Sequence, residues 1–151
     1  MSFDQNAKEL GIEIPKAPKP VAAYVPGVLV DGYLYTSGQL PFVDGELKYK
    51  GKVGAEVSDD DGYEAAKVCA INCLGVVKSI VGSLDKVEKI MKINVFVNSE
   101  KGFIGQAKIA NGASELLGKI FNEVGQHARS AIGVSELPAD ASVEVDLVAK
   151  L

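Results

Sequence analysis

The sequence is poor in the residues that most often announce a site. Among its 151 residues there is one histidine, His127, and there are two cysteines, Cys69 and Cys73. The cysteines stand four apart, which on a helix puts both on one face, yet a disulfide needs converging Cβ vectors that a regular helix does not supply. With no further Cys or His beside them they make no metal site either, and they read as two small buried residues in a reducing compartment. No stretch approaches the roughly 18 apolar residues of a membrane span. The opening "MSFDQNAKEL" carries acid and amide groups where a secretory signal needs a basic end and an apolar run. We therefore expect a cytoplasmic protein without a membrane partner. Cationic excess is also missing: 16 Lys and Arg stand against 20 Asp and Glu, a formal charge of -4. Such a field repels nucleic acid unless a local basic patch overcomes it. "KYKGK" is the one candidate patch, and there Lys48, Lys50 and Lys52 alternate onto one face of an expected strand, where lysines guard a sheet edge against aggregation.

What remains is an ordinary globular composition, 47% hydrophobic, in a chain long enough for one domain with a real core. Residues 1–23 read as an N-terminal extension on the surface of a domain spanning 24–151. A short helix at Gln5 to Leu10 gives way there to "PKAPKP", whose prolines 15, 18 and 20 favour an extended path. Asp31-Gly32 sits between two β-rich runs and fits a tight hairpin, and Asp44-Gly45 suggests a second reversal. Ser58 and Asp61 resemble a capping box with a shorter acid. Beyond them Ala65, Ala66, Cys69, Leu74, Val77, Ile80 and Val81 recur with helical period, so a helix over about 59–81 is expected. "KIMKINVFVNS" alternates, with Met91, Ile93, Val95 and Val97 on one face and Lys92 and Asn94 on the other. Phe103, Ala107, Ala110, Ala113, Leu117, Ile120, Phe121 and Val124 predict a second amphipathic helix over about 103–124, ending before Gly125. Strands over roughly 128–134 and 142–149 follow. This order predicts an α+β domain in which two helices pack on one face of a mixed sheet of about six strands. The other face then meets water or another subunit.

Few side chains in that frame suggest chemistry. In "SVEVDLVAK" the alternation brings Glu144 and Asp146 to the helix-free face, either as a solvated surface or as part of a site. Arg129 opens an inward-looking strand. It could pair with one of those acids, or its planar guanidinium could clamp the carboxylate of a ligand. Pattern leaves both open. His127 shares a strand face with Arg129, but no Ser-His-Asp or Cys-His order is legible around it. "GASELLGKI" is no phosphate loop: five residues separate Gly112 from Gly118, no Ser or Thr follows Lys119, and the stretch falls inside an expected helix.

"LYTSGQLP" at 34–41, "RSAIGVSELP" at 129–138 and the "VEVDLVA" that follows resemble the signature of the Rid/YjgF reactive-intermediate deaminase family, over about residues 22–151. Length and extension are similar to the branch of that family that carries an endoribonuclease label. The resemblance implies a chorismate-mutase-like fold assembled as a homotrimer, with ligand clefts between neighbouring subunits. It implies Arg129 as the clamp for a substrate carboxylate, with the backbone of Gly38 helping. Glu144 becomes the acid that holds an attacking water, and Tyr24 and Ser37 become cleft-lining positions. Ala131 stands where many members carry a cysteine, and His127 where proline is frequent. The implied reaction is hydrolysis of 2-imino acids, tautomers of enamines such as 2-aminoacrylate, to 2-oxo acids and ammonia. It calls for no metal or organic cofactor, because an imine carbon is already electrophilic and the protein need only fix the carboxylate and place a water. The alternatives are a noncatalytic module that binds a small carboxylate, and an endoribonuclease, against which the acidic balance argues.

Overall fold

A computed structural model of the chain describes residues 2–19 and 23–151. Pro20, one of the three prolines expected to extend the chain, lies outside the described residues. Both Asp-Gly pairs do what their chemistry favours. Asp31 and Gly32 take φ of 50° and 77°, the doubly left-handed turn whose twist matches its strands, and they join β1 (Gly27–Val30) to β2 (Tyr33–Thr36). Asp44 and Gly45 repeat this at 50° and 81° between β3 (Phe42–Val43) and β4 (Glu46–Leu47). Next comes helix α2 (Asp59–Val81). Ser58 caps it by accepting from the Asp61 N–H, three aspartates occupy its first turn, and Gly82 ends it in the left-handed conformation at φ 90°. Strand β5 (Lys89–Asn98), helix α3 (Gln106–Phe121), β6 (Ala128–Val134) and β7 (Val143–Lys150) complete the domain.

The strands form one five-stranded sheet in the order β1-β2-β7-β5-β6, with only the β5–β6 pair parallel. Strands β3 and β4 stand apart as a two-stranded ribbon, so the main sheet is one short of the expected six. Helices α2 and α3 cover one face, and Ile93, Val95, Val97, Val143, Val145 and Leu147 are buried beneath them. Cys69 and Cys73 are free and buried, their thiols donating to the Val143 and Val145 carbonyls at 3.5 and 3.2 Å. No described helix covers the opposite face, where Val28, Tyr35 and Ile132 remain exposed. None of the described helices is long and apolar enough to cross a membrane.

Several expectations need correcting. Met91 is exposed rather than inward: a bulge between Ile90 and Lys92 inserts an extra residue, so Ile90 takes the buried place and the alternation restarts at Ile93. Ile80 is exposed near the C-terminal end of α2, and Ala107 lies on the outer side of α3, which begins only at Gln106. "KYKGK" forms no strand, because Tyr49 at φ 55° and Gly51 at φ 116° break the pleat. Its lysines therefore do not share a face. Lys52 turns inward instead, donating to Asn98 Oδ1 at 2.9 Å and to the Ser135 carbonyl.

The N-terminal segment packs against the domain. Helix α1 (Phe3–Glu9) buries Ala7, lays the Phe3 ring 4.9 Å from that of Phe121, and sends Asn6 Nδ2 to the Ile120 carbonyl at 2.7 Å. Beyond it the extended chain follows α2, with the Ala17 N–H donating to Ser79 Oγ at 3.1 Å. Gly75 makes that approach possible, since a Cβ there would sit 2.6 Å from the Pro15 carbonyl oxygen. A closer contact still joins the two large helices, where Gly112 of α3 lies directly against the Tyr63 backbone carbonyl of α2. A methyl group there meets backbone that cannot rotate away. Gly112→Ala should therefore lower stability by about 2 kcal/mol, read as a lower urea midpoint at unchanged slope; an unchanged midpoint would show that the helices separate freely.

Candidate active site

The pleat of β7 decides where each ionisable side chain goes. Val143, Val145 and Leu147 are buried under the helices, so Glu144 and Asp146 point through the sheet to the other face. Strand β2 makes room for them. It pairs regularly with β7 as far as Tyr35, then breaks register around Ser37 and Gly38 before Gln39 bridges Val145. A Cβ on Gly38 would overlap the Glu144 carboxyl, so glycine leaves that side chain free to lie against the turn as it does. Ser37 is held back by donating its hydroxyl to the Val25 carbonyl at 2.7 Å.

Glu144 lines a cavity of about 590 Å³ together with Tyr24, Pro26, Gly38 and two lysines of the N-terminal segment, Lys16 and Lys19. Half-burial pushes the Glu144 carboxyl above its ordinary value, and the charge of Asp146 pushes it further. Asp146 is raised by burial too, against the opposing effect of Asn94 Nδ2, which donates to it at 2.8 Å. A carboxylate made proton-hungry in this way is suited to drawing a proton from a bound water.

Arg129 lies elsewhere. It pairs in register with Ile93, and Ile93 with Leu147, a row whose aliphatic members are buried under the helices. The guanidinium accordingly turns to α3, where Nη1 donates to Asn111 Oδ1 at 2.8 Å and to Ser114 Oγ at 3.1 Å. Among the described residues it makes no ion pair, so the expected alternative of a bond to Glu144 or Asp146 is not realised. His127 meets the same hydroxyl: Nε2 lies 2.9 Å from Ser114 Oγ, while Nδ1 lies 2.6 Å from the Gly125 carbonyl. Asn111 and Ser114 escaped the sequence reading. Their signal was available, for they are polar residues three apart on a helix and therefore on one face.

Of the five residues singled out in the sequence, Tyr24, Gly38 and Glu144 share the cavity, Ser37 stands behind its wall, and Arg129 is on the opposite face of the same sheet. One chain thus carries an acid in a cavity and, apart from it, a cation at the edge strand β6. The model of the family described as "YjgF/chorismate_mutase-like, putative endoribonuclease" matches residues 6–151. The chain belongs to the YjgF family. It is 42% identical over 147 residues to protein TCP17 of Trypanosoma cruzi, covering 97% of this chain and 92% of that one. It is 28% identical over 137 residues to a 2-iminobutanoate/2-iminopropanoate deaminase of Dermatophagoides farinae, covering 91% and 92%. Among solved structures, a protein of unknown function from Agrobacterium tumefaciens superposes with a TM-score of 0.93 at 39% identity, over 99% of this chain and 92% of that one. Escherichia coli TdcF with bound serine superposes at 0.62 and 25% identity, over 92% and 96%. The chorismate-mutase-like YjgF fold expected from the motifs is thus the fold of this chain.

The raised Glu144 carboxyl has a consequence for stability. A group that binds its proton more tightly in the fold than in the open chain stabilises the fold fully below its unfolded value, and that contribution is lost as pH rises through the folded value. Wild-type protein at neutral pH therefore carries the cost of an ionised Glu144. Glu144→Gln should raise Tm by a few degrees at pH 7, and the gain should vanish below the ordinary value of 4.5. Equal Tm values at pH 7 would mean that water relieves the carboxylate fully.

Proposed function

We propose that this YjgF-family protein is a cytoplasmic hydrolase of reactive 2-imino acids, converting them to 2-oxo acids and ammonia. The observation that carries the reading is the Glu144 carboxyl, half-buried at the cavity wall against Gly38 with its proton affinity raised. Relatives that bear deaminase names support the chemistry.

In the proposed reaction the substrate carboxylate is held by Arg129. Since Arg129 and Glu144 occupy opposite faces of one sheet, a cleft holding both is completed by a second copy, the helix-free face that carries Glu144 in one copy meeting the β6 edge that carries Arg129 in the next, as a homotrimer with head-to-tail contacts allows. Water bound at Glu144 attacks the imine carbon, forming a C–O bond as Glu144 takes the proton and the C=N electron pair moves to nitrogen. The carbinolamine that results receives that proton on nitrogen. Its C–N bond then breaks as Glu144 carries the hydroxyl proton to the nitrogen, so that ammonia leaves and the 2-oxo acid forms. Arg129 contributes by positioning and Glu144 by general base and acid catalysis, and no step calls for a metal or organic cofactor. Tyr24 and the Gly38 backbone shape the cavity beside the acid.

A module that senses small carboxylates without turnover uses Arg129 alone. An endoribonuclease is less favoured, since the formal charge of -4 opposes an RNA backbone. One experiment separates these. With 2-aminoacrylate generated by a serine dehydratase and semicarbazide as trap, wild-type protein should divert flux from the trapped imine to pyruvate. Arg129→Ala and Glu144→Gln should each lower kcat/KM by about 100-fold or more. Mixing the two inactive variants through an unfolding and refolding cycle should restore about a quarter of the sites, because some clefts then pair an intact arginine with an intact acid. Thermal stabilisation by pyruvate without turnover would favour the sensor. Salt-sensitive RNA cleavage would favour the nuclease, and absence of recovery on mixing would place both groups in one chain's site.

A further inference from the structure

The hydrogen bonds around His127 run in one direction, and that direction bears on Arg129. The Gly125 carbonyl can only accept, so the 2.6 Å contact requires the proton on Nδ1. Burial pushes the pKa of His127 down from its ordinary value, and the charges of Arg129 and Lys89 push it further, against the Gly125 bond that favours the charged ring. From helix α3 the ring is met by the neutral Ser114. The neutral ring therefore presents Nε2 as an acceptor. Ser114 must spend its single hydroxyl proton on Nε2 at 2.9 Å, which leaves a lone pair of Oγ for the guanidinium at 3.1 Å.

We propose that His127 is a positioning residue for Arg129: through Ser114 it fixes the polarity of the bridging hydroxyl, so that Nη1 stays committed to α3 and the remaining guanidinium edge is presented to the carboxylate of the ligand. Among the described residues, Asn111 and Ser114 are the acceptors Arg129 uses, and Nη1 is the nitrogen that reaches both. A serine free to rotate would point its proton at the guanidinium in part of its population and lose that bond. The arrangement is not that of a nucleophilic serine, since Ser114 Oγ already accepts from the cation. This inference rests on the reading of Arg129 as a carboxylate anchor, and its test has a readout independent of that reading.

His127 is the only histidine in the chain, so its ring nitrogens give unambiguous NMR signals. In ¹⁵N-labelled wild-type protein at neutral pH the ring should be the Nδ1–H tautomer with Nε2 hydrogen-bonded. Ser114→Ala should move the Nε2 resonance toward that of an unbonded nitrogen, and Arg129→Gln should move it as well, although residue 129 does not touch the ring nitrogen. His127→Leu should weaken pyruvate binding about tenfold by calorimetry, and raise KM rather than lower kcat, through one lost charge-assisted hydrogen bond. His127→Gln, whose amide oxygen can still accept from Ser114, should recover most of the affinity. A proton found on Nε2, an Nε2 resonance indifferent to both substitutions, or wild-type affinity in His127→Leu would each overturn the proposal. Wild-type protein that binds no pyruvate would overturn the anchor reading instead, and the tautomer and its response to Arg129→Gln would still decide whether His127 and Arg129 are coupled.

Discussion

The burial of three alternate residues on β7 is the constraint from which the rest follows. Val143, Val145 and Leu147 lie at or near zero exposure under α2, and a slip of one residue would put all three in water. At about 2 kcal/mol for each buried aliphatic side chain, that slip is prohibitive. The register of β7 then fixes its neighbours: Ile93 opposite Leu147, Arg129 opposite Ile93, Phe96 opposite Glu144. The separation of the acid from the guanidinium is thus a consequence of hydrophobic burial, with no electrostatic interaction needed to enforce it.

Much of this was legible because it depends on local chemistry. The two Asp-Gly turns, the Ser58 cap and the limits of α2 follow from φ preferences and orphan N–H groups that neighbouring residues settle. The inward row of β7 was equally readable, since hydrophobic alternation is a strand's own property. The failures came where something distant decides. Met91 alternates correctly on paper, yet the bulge beside it depends on how β5 meets β7. "KYKGK" has the composition of an edge strand, and a left-handed Tyr49, which sequence preference disfavours, cancels it. Arg129 and Glu144 could each be chosen from the pattern. Their faces could not be compared from it, because the relation runs through a parallel pairing across the helix and turns of residues 99–127.

The N-terminal segment shows the same limit. Its prolines announced an extended path without saying where it goes. The route is set by glycine on the receiving side: Gly75 in α2 lets the Pro15 carbonyl approach, and Ser79 one turn later takes the Ala17 N–H. That places Lys16 and Lys19 on the wall of the cavity that Glu144 lines, while the acid itself answers to burial and to Asp146.

The partners of the guanidinium and of the acid are opposite in kind. Asn111 and Ser114 orient the guanidinium with neutral oxygens, so its charge is left uncompensated; a carboxylate in their place would reduce the cation to half of a dipole. Glu144 has a like-charged neighbour and a partly dry setting, which hold it as a base that wants a proton. Were the two on one face of the sheet they would pair, each cancelling the property that makes the other useful. The pleat forbids that within a chain. On the proposed reading the groups approach each other only across a boundary between copies, where an intervening substrate presents its carboxylate to the arginine and its imine carbon to the water at the acid.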